Sequence, residues 1–424
     1  MRVMKWSMIA LAVAAAGSTQ MAAASSQSES KGFVEDSNFG INTRALYFSR
    51  DFRNNPAGTQ SRREETGLGF HALFESGFTQ GPVGFGVDAI GLLGVKLDSG
   101  KSRSGTGMFP TGSDGRSADD FSEATGAVKM RVSDTVLKWG GQYTAVPVFA
   151  TDDSRLLPEV AEGFSLNSKE INGLDLNAGH FTALNAQDQT HHDSLNLTTT
   201  DFIGGSYAIT DGLSTSVYYA ETEDFWRKWY GNVNFSVPLA DDQGLVFDFN
   251  IYNTKSEGAA LYTAFDGDKL DNNAYSFSGA YTFLTAHTVT LAYQKVSGDG
   301  DYGYGVDGGG TIFLANSVAR SDFNAEDEKS YQARYDLNMA SYGVPGLSFM
   351  TRYVKGTDAN VAGTDDGKEW ERDIEAKYVV QEGPAKDLSL RLRQATYRSG
   401  DGVYYGSPSI DELRLIVNYP LNIL

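Results

Sequence analysis

From about residue 39 to residue 424 the chain repeats one pattern: segments of about ten residues alternate apolar or aromatic with small or polar side chains, break at Gly, Asp and Asn clusters, and resume. Leu68, Phe70, Ala72 and Phe74 alternate with Gly69, His71 and Glu75. Leu388, Leu390 and Leu392 do so against Ser389, Arg391 and Arg393, and Leu413, Leu415, Val417 and Tyr419 against Glu412, Arg414, Ile416 and Asn418. A period of two is that of a strand whose faces meet different environments. A secreted sandwich shares that period, but here eighteen candidate strands follow one another in a single stretch, many of them ten or more residues long. The pattern predicts an all-β fold: a closed antiparallel transmembrane β-barrel of 18 strands, one face on lipid and one on water.

The predicted strands are 39–52, 64–78, 83–97, 121–133, 135–143, 163–171, 174–184, 201–209, 213–223, 226–237, 244–253, 274–285, 287–297, 329–340, 347–356, 369–381, 387–397 and 410–419. Gln80-Gly81-Pro82, Thr210-Asp211-Gly212, 240–244 and 342–346 supply tight-turn residues for short periplasmic links. Polar stretches at 98–119, 186–199, 255–270, 298–327 and 357–367 predict long extracellular loops. An even strand count suits closure, and eighteen strands enclose a lumen too wide to fill with side chains. A channel of this size therefore needs an inward loop to narrow it.

At the N-terminus, Arg2 and Lys5 precede a short apolar stretch and the small residues Ala22, Ala23 and Ala24, which predicts a signal peptide over 1–24. That stretch is too short to span a bilayer as a helix. Residues 25–38 are expected to form an N-terminal periplasmic segment and 39–424 the barrel. Removing Arg2 and Lys5 deepens the formal charge from −19 to −21, which argues against nucleic acid as a partner. With no cysteine, disulfides and thiolate chemistry are excluded. Gly 47, Tyr 22 and Phe 24 against Pro 10 fit a strand wall with tight turns and aromatic girdles.

The candidate inward loop is 145–162. Pro147 and Pro158 disfavour a central strand, while Phe149, Leu156 and Leu157 call for burial, so the segment is expected to fold on the lumen wall; packing at the barrel mouth is the alternative. If the apolar parity faces lipid, Arg334, Arg352, Lys377, Arg391, Arg393 and Arg414 fall on the water side of five consecutive C-terminal strands. Lys129, Arg131 and Lys138 share the inward parity of two early strands, and Arg44 that of the first. A charge on the lipid side costs roughly 2–4 kcal/mol at midplane, which forces the inward assignment once the barrel is granted. Such a file of cations can pass an anion from site to site. The same wall carries Glu371, Asp373 and Glu375, so pairing of these cations with neighbouring carboxylates is the competing reading.

Phe33-Val34-Glu35-Asp36-Ser37, the run Leu46-Tyr47-Phe48-Ser49-Arg50-Asp51-Phe52-Arg53, Gly140-Gly141-Gln142, Asp153-Ser154-Arg155-Leu156-Leu157-Pro158 and the ending Asp411-Glu412-Leu413-Arg414-Leu415-Ile416-Val417-Asn418-Tyr419-Pro420-Leu421 carry a resemblance over nearly the whole mature chain. It resembles the OprD-type outer-membrane porins of pseudomonads. The resemblance implies an eighteen-stranded barrel with an inward third loop at an eyelet, a basic ladder, and uptake of small carboxylate-bearing nutrients such as amino acids or aromatic and organic acids. It puts the eyelet at Asp152, Asp153, Ser154, Arg155, Leu156, Leu157 and Pro158, and the ladder at Arg391, Arg393 and Arg414 with Arg352, Arg334 and Lys377. Opposing groups from the seventh loop would correspond to Ser317, Ser321 and Asp322.

No nucleophile elbow, phosphate-cradling glycine loop or metalloprotease helix motif is present in the sequence, and His191-His192-Asp193 reads as an exposed loop rather than a metal site. The expectation is a non-enzymatic porin without cofactor or metal, in the bacterial outer membrane. Its expected partners are carboxylate solutes, outer-membrane lipid and lipopolysaccharide, and the barrel assembly machinery, as a monomer or weak trimer.

Overall fold

The computed structural model describes residues 27–53, 55, 57–262, 269–306, 310–361, 364–400 and 409–424. The predicted signal peptide lies outside them. Among the described residues eighteen strands form one sheet, each antiparallel to its neighbours, and the sheet closes on itself. The first strand, Asn38–Phe52, pairs with the last, Ile410–Asn422, with Arg44 opposite Asn418 and Phe48 opposite Arg414. Closure pairs the backbone groups that an open edge would leave bare in lipid.

Every predicted strand has a counterpart, with two informative differences. Val160–Ser168 begins before 163, so the inward loop ends at residue 159 and Glu162 belongs to the wall. The stretch 357–367 is no loop: Leu347–Val361 and Thr364–Val379 run through it as one long hairpin. Its ladder slips in register between Gly356, Ala359 and Val361, and Asp358 takes a φ of 62°. Bulges of this kind absorb turn-like residues without ending the ladder.

Alternation sorts the faces. Phe85, Trp139, Ile203, Trp229, Leu291 and Leu415 are exposed on the outer face, where lipid takes the place of water. At one rim the links are short, with two residues each at 133–134, 211–212 and 241–242; the other rim carries the links 100–119, 143–159 and 300–328. The segment before the first strand packs under the short-link rim. Gln27 there donates to the carbonyls of Thr79 (2.8 Å) and Gly81 (3.1 Å) and accepts from Arg131 Nε (2.9 Å), while Ser30 donates to Phe78 O (2.6 Å).

The core has two large parts inside the barrel, with two small clusters besides. Leu46, Phe48, Ile90 and Leu92 project inward and bury Leu156 and Leu157 against themselves. Across the lumen, Phe181, Phe202, Tyr218, Tyr230 and Tyr252 form an aromatic wall. That wall is covered by Val148 of a short hairpin, which pairs Ala145–Val146 with Phe149–Ala150, and by Tyr302, Ile312 and Leu314 of the link 300–328.

Candidate functional site

Residues 152–158 sit within the barrel. Leu156 and Leu157 are 0% and 2% exposed, and burying each stabilises the seat by roughly 1.5–3 kcal/mol. Two glycines of Arg62–Glu75 make the approach possible: a Cβ on Gly67 would stand 2.7 Å from Leu156 Cδ2, and one on Gly69 would stand 2.8 Å from the Leu156 carbonyl oxygen. Either is closer than side-chain carbons pack. His71, next on the same inward parity, hydrogen-bonds Leu156 O at 2.8 Å.

Polar groups fix the rest of the loop. Arg44 holds Asp153 with Nη1–Oδ1 at 2.8 Å and Nη2–Oδ2 at 3.0 Å, and donates to Arg155 O at 2.6 Å. Asp152 accepts from Ser154 N (2.7 Å) and Ser154 Oγ (2.8 Å), closing a tight turn, and burial pushes its carboxyl above the usual range. Arg155 donates to Thr106 O (3.1 Å), and Gln187 to Asp152 O (3.0 Å), so neighbouring loops brace the segment. Pro158 is buried beside Leu157.

The basic wall follows from register. Arg352 faces Asp373, Lys377 faces Arg391, Glu375 faces Arg393, and Arg393 faces Arg414, so these side chains share the inner side of Leu347–Val361, Thr364–Val379, Ser389–Ser399 and Ile410–Asn422. Successive inward positions on one strand lie about 7 Å apart. Carboxylates thread the file, as the competing reading anticipated. Arg334 forks onto Asp336 with two contacts of 2.7 Å, and Arg352 Nε meets Asp373 at 2.5 Å.

Elsewhere one carboxylate serves two cations. Glu375 takes Arg393 (2.9 Å) and Arg391 (3.4 Å), Glu412 takes Arg414 (2.6 Å) and Arg50 (2.7 Å), and Asp88 takes Lys138 (2.5 Å) and Lys129 (2.6 Å). Each such triad leaves a surplus positive charge on the wall of a chain whose formal charge is −19. Lys377, beside Arg391, has no ion pair among the described residues.

Arg414 differs from the others. It is 3% exposed and lies over the Phe48 ring at 4.2 Å, a cation–π contact that Arg50 (4.7 Å) and Arg155 (5.5 Å) share. Its Nη1 donates to Ser154 O (3.2 Å) in the inward segment 152–158 and its Nη2 to Ala319 O (3.3 Å) in the link 300–328. This guanidinium ties both inward loops to the closing strand.

Of the expected opposing residues, the Ser321 side chain is occupied with the wall, and those of Ser317 and Asp322 with each other. Ser321 donates to Glu369 (2.6 Å), and the backbone N–H groups of Arg320 and Ser321 point at Glu371 (2.9 and 2.8 Å). Asp322 accepts from Ser317 Oγ and Tyr304 OH, both at 2.6 Å, and burial raises its carboxyl above the usual range. Lys129, Arg131 and Lys138 lie on Asp120–Val132 and Thr135–Gln142, away from the C-terminal strands. Arg131 stacks on Phe78 at 4.2 Å near the short-link rim. His192 Nε2 meets Glu162 at 2.6 Å on a different face of the entrance.

Sequence reasoning missed Arg50, Glu412 and the pair Gly67 and Gly69. Arg50 has the inward parity of Arg44 and was legible by the same count. The glycines carried no such signal, because strand glycines serve many purposes.

Comparison with known proteins agrees with this architecture. The model of the OprD family of outer membrane porins matches residues 31–423. The chain is 52% identical to Porin D of Pseudomonas aeruginosa, with 100% of each chain covered. The crystal structure of Pseudomonas aeruginosa OprD is 49% identical with a TM-score of 0.79, covering 95% of this chain and 99% of that one. The structure of Pseudomonas aeruginosa OpdK with vanillate is 33% identical with a TM-score of 0.81, covering 92% and 100%.

Proposed function

The chain belongs to the OprD family of outer membrane porins, and we propose that, as a porin, it preferentially admits small solutes bearing a carboxylate. The observation that carries the reading is the sharing of Glu375 by Arg391 and Arg393, with Lys377, which has no ion pair among the described residues, alongside. Three cations around one carboxylate leave net positive charge on the water side, and the three side chains are only partly covered. Arg44, neutralised by Asp153, fixes the loop segment beside this field. A carboxylate entering here replaces water around guanidinium groups that keep their charge and offer planar pairs of donors. The neutralised pairs Arg334–Asp336 and Arg352–Asp373 contribute position more than field. Vanillate, held by the related OpdK, is a carboxylate of the proposed size class.

Constriction by residues 152–158 would set the size limit, with the rest of the lumen as vestibule. The test is a liposome uptake panel comparing amino acids, aromatic carboxylates, sugars and uncharged isosteres through wild type and the triple variant K377Q/R391Q/R393Q. Carboxylate influx is expected to fall more than that of a neutral isostere, and the gap to narrow at high salt. Equal losses for charged and neutral solutes would overturn the reading.

A further inference from the structure

On the outer face near the long-loop rim, five strands present a row that register fixes: Tyr293 faces Tyr331, Tyr331 faces Lys355, Lys355 faces Trp370, and Trp370 faces Arg398. One step toward the short-link rim, Tyr353 faces Arg372. All share the parity of Leu291, Ile374, Leu392 and Leu415, exposed apolar residues of the outer face. Tyr353 and Trp370 stack with centroids 5.7 Å apart, and Arg398 lies 6.0 Å from the Trp370 ring. Aromatic rings in this position mark the headgroup level of a bilayer. Cations and an aromatic girdle thus meet where the apolar band ends.

Several other basic side chains on the same outer face have carboxylate partners. Lys255 meets Asp271 at 3.0 Å, Lys329 meets Asp358 at 3.0 Å, Lys368 meets Asp366 at 2.8 Å, and Arg227 reaches Glu257 at 3.5 Å. Lys355 and Arg372 have none among the described residues: both are exposed, and Arg372 makes a long 3.5 Å approach to Thr396 Oγ1. Asp411, the carboxylate beside Arg398, is shared with Arg53. Outward cations at the edge of an apolar band, two of them without a carboxylate partner among the described residues, complement an anion supplied by the membrane.

We propose that Lys355, Arg372 and Arg398, arranged around Trp370, form a seat for a phosphate group of an outer-leaflet glycolipid. The acyl chains would then run along Ile374, Leu392 and Phe349 below the patch, and the sugar would lie against Trp370 and Tyr353. Such a seat gives the barrel a preferred side toward an ordered lipid without involving the lumen.

The test embeds the full barrel in nanodiscs of phosphatidylcholine carrying either bisphosphorylated or dephosphorylated lipid A, and quantifies co-purified lipid by mass spectrometry. Wild type is expected to retain the bisphosphorylated form in preference to the dephosphorylated one by roughly tenfold or more, given the attraction of each basic side chain to an anionic surface. K355Q/R372Q should lose most of that preference, K355R/R372K should keep it, and K255Q, on a paired lysine, should leave it unchanged. A wild-type single-channel conductance certifies that each variant barrel is folded. A wild type without phosphate preference, or a preference that survives K355Q/R372Q, overturns the proposal.

Discussion

The two sides of the lumen are built from the same strand geometry and do opposite things. From Leu174–Asn185 to Gln243–Ser256 each strand contributes an inward aromatic side chain that disappears beneath the hairpin at 145–150 and the link 300–328. From Lys329–Asn338 to Ile410–Asn422 they include arginines, a lysine and carboxylates; Arg334, Lys377, Arg391 and Arg393 keep contact with water, while Arg414, Glu412 and Asp373 are buried in ion pairs. Inward does not mean wet in a barrel of this width: one wall serves as a floor onto which loops fold, and the other is left as a conduit. Tyr230 and Arg393 illustrate the contrast. The first is 4% exposed with its hydroxyl on Asn250 Oδ1 at 2.6 Å; the second shares one carboxylate with another arginine.

The comparison breaks most severely at the loop that separates the two sides. Leu156→Ala removes the anchor of the eyelet segment and should cost about 2–5 kcal/mol of its seating. Single-channel conductance is expected to rise and size discrimination to fall. An unchanged conductance in a folded barrel would mean that residues 152–158 do not limit the channel.

Arg414→Gln comes next. It frees Ser154 O and Ala319 O while leaving Glu412 paired with Arg50, with an expected loss of about 1.5–3 kcal/mol for hydrogen bonds made by a charged group. The readout is current noise: both loops should fluctuate, and open-channel flicker should exceed that of wild type. Quiet traces would assign the loop anchorage to Arg44 and the apolar seat alone.

Glu375→Gln sharpens the comparison instead of breaking it. Without its shared carboxylate, the pair Arg391 and Arg393 gains field, so the reversal potential in a salt gradient should move toward anion preference. The shift should shrink near 1 M salt, where the screening length is about 3 Å. The smallest effect is expected on the other side, where Tyr230→Phe loses one hydrogen bond worth about 1 kcal/mol. Its melting temperature should drop slightly while ion selectivity stays at the wild-type value.

Much of this was legible in the chain. Leu390, Leu392 and Leu415 announce the outer face, and parity then commits Arg391, Arg393 and Arg414 to the inside. The inward seat of residues 152–158 was legible from Leu156 and Leu157, which are too apolar for a free loop. What alternation could not supply was the inward aromatic wall: Tyr218, Tyr230 and Tyr252 are good lipid-facing residues too, and their parity alone names no side. Nor could it show that residues 357–367 keep their ladder, because bulges let Asp358 and its neighbours look like a turn. The sharing of Glu375, Glu412 and Asp88 between pairs of cations depends on cross-strand register, which a single strand's sequence does not contain.

Arg414 has a consequence for the order of assembly. Its strand is the last to be made, yet its guanidinium reaches back 260 positions to Ser154 and 95 positions to Ala319. Arg44, which holds Asp153, likewise contacts Asn418 across 374 positions. Contacts of such sequence separation form late, after the loop-closure entropy of the whole chain has been overcome. Residues 152–158 of a nascent barrel therefore lack part of their fastening until the seam between first and last strands zips shut, and under the proposed constriction a barrel stalled before that moment would be a wider, less discriminating hole than the finished one.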